Sequence, residues 1–447
     1  MKSEKSLNMT EGGMIKPLVL FTLPLIGSSI FQQLYNTADY FFVGNFLGTT
    51  AAAAVGASSS LISCVIGLFS GISLGTNVVG AKYIGAKEKE KANHVMHSSF
   101  AFGIYGGILL AVVAILLAPY ILRVLNTPES VIPDATLYIR FYLLSLPMMI
   151  LYNMGSGALR ACGDSKTPFY ILVLCGFVNV VADAIFIVVI PLGVVGVAAA
   201  TAASQGLSAI LVLIALLKEG RPIRFSFKKL KVDWEVLKQV LWIGLPSGLQ
   251  SILITFSNVI VQYYINAFGE VSVAAFATYY KVENFIYLPI MAFGQAATTF
   301  TAQNMGAGQY KRIRKGIPVI AGFGAGVVVC IAVIMLAFPE QIFGLFIKDM
   351  DVVKNALRIA GVSFPFYWIY PIMEVTSSSV RGMGYSISSM IAILLNICAL
   401  RIMLLAIFSK IFPSLEALAS VYPITWACSA ICFSIMFAVI IQKKCKS

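Results

Sequence analysis

The chain has 447 residues, 59% hydrophobic and 11% charged, with a formal net charge of +13. Soluble domains carry about 25% charged residues, so this little charge cannot cover a water-facing surface, and the missing solvent is lipid. Apolar runs of about 20 residues, each enough to cross ~30 Å of hydrocarbon, recur from end to end and leave no stretch for a soluble domain.

Met1, Lys2, Ser3, Glu4 and Lys5 lead straight into a long apolar helix containing Pro24. No small-residue cleavage site follows, so this helix is expected to be retained rather than removed as a signal peptide. Breaks at Gly, Pro and charge clusters predict six helices at 14–46, 51–80, 92–117, 135–159, 168–190 and 194–217. A basic linker at 218–234 precedes six more at 235–267, 271–303, 313–338, 352–380, 386–408 and 418–441. The expected domains are therefore 14–217 and 235–441. Most of the 32 Lys and Arg lie at the termini or in alternate loops: Lys82 to Lys91, Arg160 to Lys166, Lys218 to Lys238, Lys311 to Lys315, and Arg381. That pattern puts these loops and both termini in the cytoplasm of a multi-pass cell-membrane protein, and it explains the positive charge without a nucleic-acid partner.

The landmarks repeat. Leu23-Pro24 recurs as Leu245-Pro246, Ala81 to Gly85 as Ala302 to Gly306, and Leu159-Arg160 with Gly163 as Val380-Arg381 with Gly384; Asn179 with Asn396 continues the series. The halves read as duplicates of six helices each, which enclose a cavity in transporters built this way. Small residues four apart, as in Gly67, Gly71 and Gly75 or Gly322 and Gly326, are expected to let helix backbones pack closely. Prolines at 24, 147, 246, 289, 365 and 371 give bendable points.

The eight cysteines are scattered within helices or on the basic side and read as packing residues. His94 and His97 read as a hydrated helix end. Neither a P-loop nor a metal-ligand cluster occurs, so an enzyme is not expected, and no cofactor is expected.

A charge at mid-bilayer costs ~2.5 to 3.5 kcal/mol, so each intramembrane ionisable residue is a candidate for function. Asn179 and Asp183 are four apart, one above the other on a helix face, and Asp183 lies seven residues before the Pro191-Leu192-Gly193 turn. Thr201 lies eight beyond Gly193, which brings both side chains to one depth on an antiparallel pair. Asp39, five residues before Gly44, falls at a similar depth. Two carboxylates, an amide and a hydroxyl suit Na⁺, which wants several oxygens, and equally a proton, which two desolvated carboxylates can share. In the second half, Glu283 and Lys281 either pair with other groups or meet substrate, as does Glu374. Aromatics near the acids, among them Tyr35 and Tyr287, can stack on a lipophilic cation.

Taken together, Gln33 to Asp39, Leu159-Arg160 with Gly163-Asp164, Asn179 to Asp183, Gly196 to Gln205 and Pro289 to Gly306 resemble the multidrug and toxic compound extrusion family, in its order and over nearly the whole chain. The resemblance implies an all-α integral membrane fold of twelve transmembrane helices in two pseudo-symmetric six-helix lobes forming a V. It implies a monomeric antiporter that exports small organic compounds, cationic or amphipathic, in exchange for H⁺ or Na⁺. The family's coupling site falls on Asp39, Asn179, Asp183 and Thr201, which would also be the metal ligands if the ion is Na⁺. Pro24 is carried over as the hinge of the first helix. Substrate is expected at Tyr35, Glu283, Tyr287 and Glu374. One departure stands out. The seventh predicted helix carries no acid between Ile252 and Ile265, only Thr255, Ser257, Asn258 and Gln262, and Tyr370 stands where an Asp is expected, so a second Na⁺ site of the family's kind is not expected. The alternative is a lipid-linked oligosaccharide flippase of the same two-lobed superfamily, for which Arg140, Lys281 and Arg401 are the relevant cations.

Overall fold

The computed structural model describes residues 7–124 and 127–446, apart from the side chains of Thr49 and Ser60. The reading of Met1 to Lys5 lies outside the described residues. In chain order the helices are α1 (Ile15–Phe42), α2 (Gly48–Gly85), α3 (Lys89–Val124), α4 (Ile132–Leu144), α5 (Leu146–Ala161), α6 (Lys166–Asp183), α7 (Val194–Leu217), α8 (Trp234–Asn266), α9 (Glu270–Gly306) and α10 (Tyr310–Ala337). They continue as α11 (Pro339–Gly344), α12 (Met350–Ser363), α13 (Ile369–Gly382), α14 (Ser386–Ile393), α15 (Leu400–Ile411) and α16 (Leu415–Lys446).

All twelve predicted segments fall on helix, but not all are single helices. Nine helices among the described residues are long and apolar enough to cross a membrane, and α4 with α5, bent by 46°, makes a tenth. The bend sits at Ser145, where Pro147 removes a backbone donor. The tenth predicted helix is likewise split, into α12 and α13, by a short 3₁₀ turn over Phe364–Phe366 that contains Pro365. The eighth, α9, runs unbroken over 37 residues, but Lys281, Glu283 and the polar run from Thr298 to Asn304 dilute its apolar character. Prolines 24 and 246 interrupt neither α1 nor α8.

Three π-helical turns were not legible in the sequence. Val43–Leu47 extends α1, Ala184–Val189 extends α6, and Leu394–Ala399 joins α14 to α15. A π turn widens the helix by one residue and re-aims the side chains beside it; such turns are frequent at functional sites.

The chain forms two compact units, one of residues 7–8 and 23–248 and another of 9–22 and 249–446. Each of α1 and α8 therefore divides between units, at Thr22/Leu23 and Gly248/Leu249, within two residues of Pro24 and Pro246. In the first unit the small-residue expectation holds for α2: a Cβ on Gly71 would sit 2.3 Å from Gly248 N, and one on Gly75 would sit 2.2 Å from Val240 O. Backbones touch there. Gly322 and Gly326 do not behave this way, since nothing lies within 4 Å of either; Gly324 between them is the one that packs, against Phe293 and Pro371.

The linker after α7 is fixed to the first unit. Arg221 bonds Asp164 at 2.7 Å, Arg224 N donates to Asn93 Oδ1 at 2.8 Å, and Asp233 N donates to Ser98 Oγ at 2.9 Å. His97 corrects the expectation of a hydrated helix end: it is buried, its ring stacks on Phe225 with centroids 5.5 Å apart, and its Nε2 accepts from Ser226 N.

Candidate functional site

In the first unit Asn179 and Asp183 end α6 on one face, Asn179 2% exposed and Asp183 wholly buried. Asp183 is the last residue before the π turn, and Asp39 on α1 lies four residues before another. The carboxyl groups of Asp39 and Asp183 lie within mutual hydrogen-bonding reach. Among the described residues no donor reaches Asp39 Oδ1, Asn179 Oδ1 or either oxygen of Asp183. Buried acceptors are nearly always satisfied, because leaving one bare costs about 1–3 kcal/mol. Four such oxygens on three residues offer acceptors to water, a proton or a cation.

Thr201 is the fourth predicted member. α7 returns antiparallel to α6 with Gly196 against Phe186, so five residues on, Thr201 stands level with Val181, between Asn179 and Asp183. Its hydroxyl donates to Val197 O at 3.1 Å, which leaves the oxygen lone pairs as acceptors. On the other side of Asn179, Tyr35, Tyr152, Gly176, Ser204, Gln205 and Ser208 line a cavity of about 20 Å³, room for one water molecule. Tyr35 reaches it because Gly176 has no side chain; a Cβ there would lie 3.2 Å from the Tyr35 ring.

Sequence reasoning missed Tyr138 and Tyr142, whose hydroxyls lie within electrostatic range of Asp39. Their i,i+4 spacing on α4 was a signal, but nothing in the sequence said which helix they face.

The second unit holds a different arrangement. Glu283 on α9 accepts hydrogen bonds from Tyr367 and, at 3.5 Å, from Tyr279, whose hydroxyl also meets Ser363 at 2.9 Å. Tyr287 stands beside Tyr370 with ring centroids 5.9 Å apart. Glu374 is engaged within its own helix: Arg381 bonds it at 2.8 Å, and Ser378 donates to the same oxygen at 2.8 Å. Lys281 is exposed. Of the polar residues named on α8, Thr255 bonds Ser251 O, Ser257 bonds Ile397 O and Gln262 bonds Asn266, while Asn258 is exposed; Tyr370 belongs to an aromatic cluster with Trp426.

A nearly all-helical chain with this many apolar spans, and with acids buried among them, is a multi-pass membrane transporter. The MatE family model matches it twice, over residues 24–185 and 246–407, so that the second match starts 222 residues after the first (246 − 24). The chain belongs to the MatE family, the multidrug and toxic compound extrusion transporters. It is 30% identical over 408 residues to the probable multidrug resistance protein YpnP of Bacillus subtilis (strain 168), covering 91% of each chain. It is 28% identical over 376 residues to the probable multidrug resistance protein YoeA of the same organism, covering 83% of this chain and 81% of that one. Its fold matches a solved structure described as the outward-facing conformation of a multidrug resistance MATE family transporter of the MOP superfamily, with a TM-score of 0.94 and 23% identity over the whole of both chains.

Proposed function

We propose that this transporter exports small organic compounds, cationic or amphipathic in character, from the cytoplasm across the cell membrane in exchange for H⁺ or Na⁺. It works as a monomer with both termini inside. The observation that carries the coupling half is the group of four donorless oxygens on Asp39, Asn179 and Asp183, with Thr201 at their level. Filling the site removes the repulsion between two carboxylates, and emptying it restores that repulsion. An ion can therefore shift the protein between inward- and outward-open states by the difference in its affinity for them. Pro24, at which α1 divides between the units, is the bend this shift would use.

The names of YpnP and YoeA support the substrate half, as does the chemistry of the second unit. Glu283 among tyrosines, with Tyr287 at the half-exposed edge of the cluster, offers charge and ring faces to an organic cation. Tyr35 on the first unit's cavity offers a further ring. Glu374 contributes only when a substrate opens its pair with Arg381.

The test is uptake of a fluorescent lipophilic cation into inverted vesicles holding the purified protein, under an imposed H⁺ or Na⁺ gradient. Uptake driven by one gradient and lost in Asp39→Asn names the ion. Absence of uptake under both, with complementation of a flippase-deficient strain, would replace this reading by the lipid-linked oligosaccharide one.

A further inference from the structure

A cation inside a protein is held by a carboxylate or by the faces of aromatic rings, and the second unit builds both in one place. Beside Glu283, the rings of Tyr367, Tyr370 and Tyr422 surround Trp426 at centroid separations of 4.5, 5.2 and 6.1 Å. Tyr280 and Tyr422 are joined hydroxyl to hydroxyl at 2.6 Å, which closes one side. Arg401 enters this box from α15. It is 5% exposed, its guanidinium carbon lies 4.9 Å from the centre of the Tyr422 ring, and it is within electrostatic reach of Glu283. Its Nε finds no acceptor among the described residues.

An arginine buried this deeply for structural reasons is ordinarily paired with a carboxylate at hydrogen-bonding distance, as Arg381 Nη2 is with Glu374 at 2.8 Å, although the Arg381 Nε is as bare as that of Arg401. Arg401 is held instead by a ring face and by attraction across a distance, the way a free organic cation would be held. We propose that Arg401 is the resident cation of a cage built for delocalised organic monocations, and that substrate competes with its guanidinium for Glu283 and the face of Tyr422. This rests on the substrate reading of Glu283 above and adds the residue that sets selectivity. A ligand must displace a weakly hydrated, flat, tethered cation. Strongly hydrated ammonium ions therefore lose the competition, and broad aromatic or phosphonium cations win it.

Binding of tetraphenylphosphonium to the purified full chain, read as quenching of Trp426 emission with Trp426→Phe as blank, tests this without requiring coupled transport. Arg401→Ala is expected to bind about tenfold tighter than the wild type. Millimolar guanidinium should return that variant to the wild-type Kd, and Arg401→Lys, whose strongly hydrated ammonium competes less well for the cage, should fall between the wild type and the alanine variant. Arg401→Gln, closer in volume, is measured alongside in case the alanine variant unfolds. Equal or weaker binding in a folded Arg401→Gln overturns the proposal and makes Arg401 a packing or anion-recognising group. Glu283→Gln in the Arg401→Gln background separates the two failures. Tight binding that persists there removes Glu283 from the substrate site. Binding lost there, with wild type and Arg401→Gln alike, removes only the role of Arg401.

Discussion

Asp39 and Asp183 come from two helices, each of which turns π-helical just after its acid, and they meet with three of their four carboxyl oxygens lacking any donor among the described residues. Two acceptor groups facing each other need something positive between them. In Asp183→Asn an amide supplies a fixed donor to the neighbouring acceptors, so this variant is expected to unfold at a higher temperature, by an amount equivalent to about 1 kcal/mol. The same variant should lose gradient-driven uptake to below about a tenth of wild type, because an amide cannot bind and release the ion. Thermal unfolding in detergent and vesicle uptake check the two halves; a variant that is both less stable and still coupled would show that the aspartates are not the ion site.

At the crossing of α2 with the start of α8, a Cβ on Gly71 would meet backbone atoms that cannot move aside. Gly71→Ala is expected to destabilise the protein by about 1–3 kcal/mol, the usual cost of overpacking. Gly322→Ala, in open space, should be neutral or slightly stabilising, since it gains up to about 1 kcal/mol of helix propensity. Midpoints of thermal unfolding for the two variants decide it. Similar losses at both positions would mean that helix–helix contact at Gly71 is not what limits stability.

These contrasts mark where sequence reading succeeds. Asn179, Asp183 and Thr201 were legible because spacing of four on a helix and eight from a turn fixes depth, and depth is what the membrane makes expensive. The repeat was legible because Pro24 and Pro246 sit in the same context. The glycine pattern was only half legible: spacing shows that a helix face is small, not that another helix lies on it, as Gly322 demonstrates. The π turns leave no compositional mark. The Tyr367 bond to Glu283 and the Arg401 contact with Tyr422 join helices far apart in sequence, and no local rule pairs them.

Glu374 and Arg381 form a buried pair on one helix, their side chains 11% and 10% exposed. Removing either partner strands a charge, so Glu374→Gln and Arg381→Met are each expected to cost about 3–5 kcal/mol. The double variant should cost much less than their sum, giving a favourable coupling of a few kcal/mol. A double-mutant cycle on unfolding measures this. Strict additivity would leave Glu374 free of Arg381 and available to a substrate cation.

The buried His97 predicts a pH response on the cytoplasmic side. Its Nδ1 lies 2.7 Å from Asn93 O, which can only accept, so the proton sits on Nδ1 and the bare Nε2 accepts from Ser226 N–H at 2.9 Å. A second proton puts N–H against N–H and removes that bond, while Lys229 and His94 add positive charge nearby. The Phe225 stack and the Arg224 and Asp233 anchors remain, so the linker should loosen locally rather than detach. Hydrogen exchange at Ser226, corrected for its intrinsic rate, is expected to be faster at pH 5 than at pH 7.5. In His97→Phe, which keeps a ring against Phe225 but has no acceptor, exchange should be fast at both. Wild-type exchange that does not change with pH would mean that the bond to His97 is not what protects the Ser226 amide and that the histidine contributes only its ring.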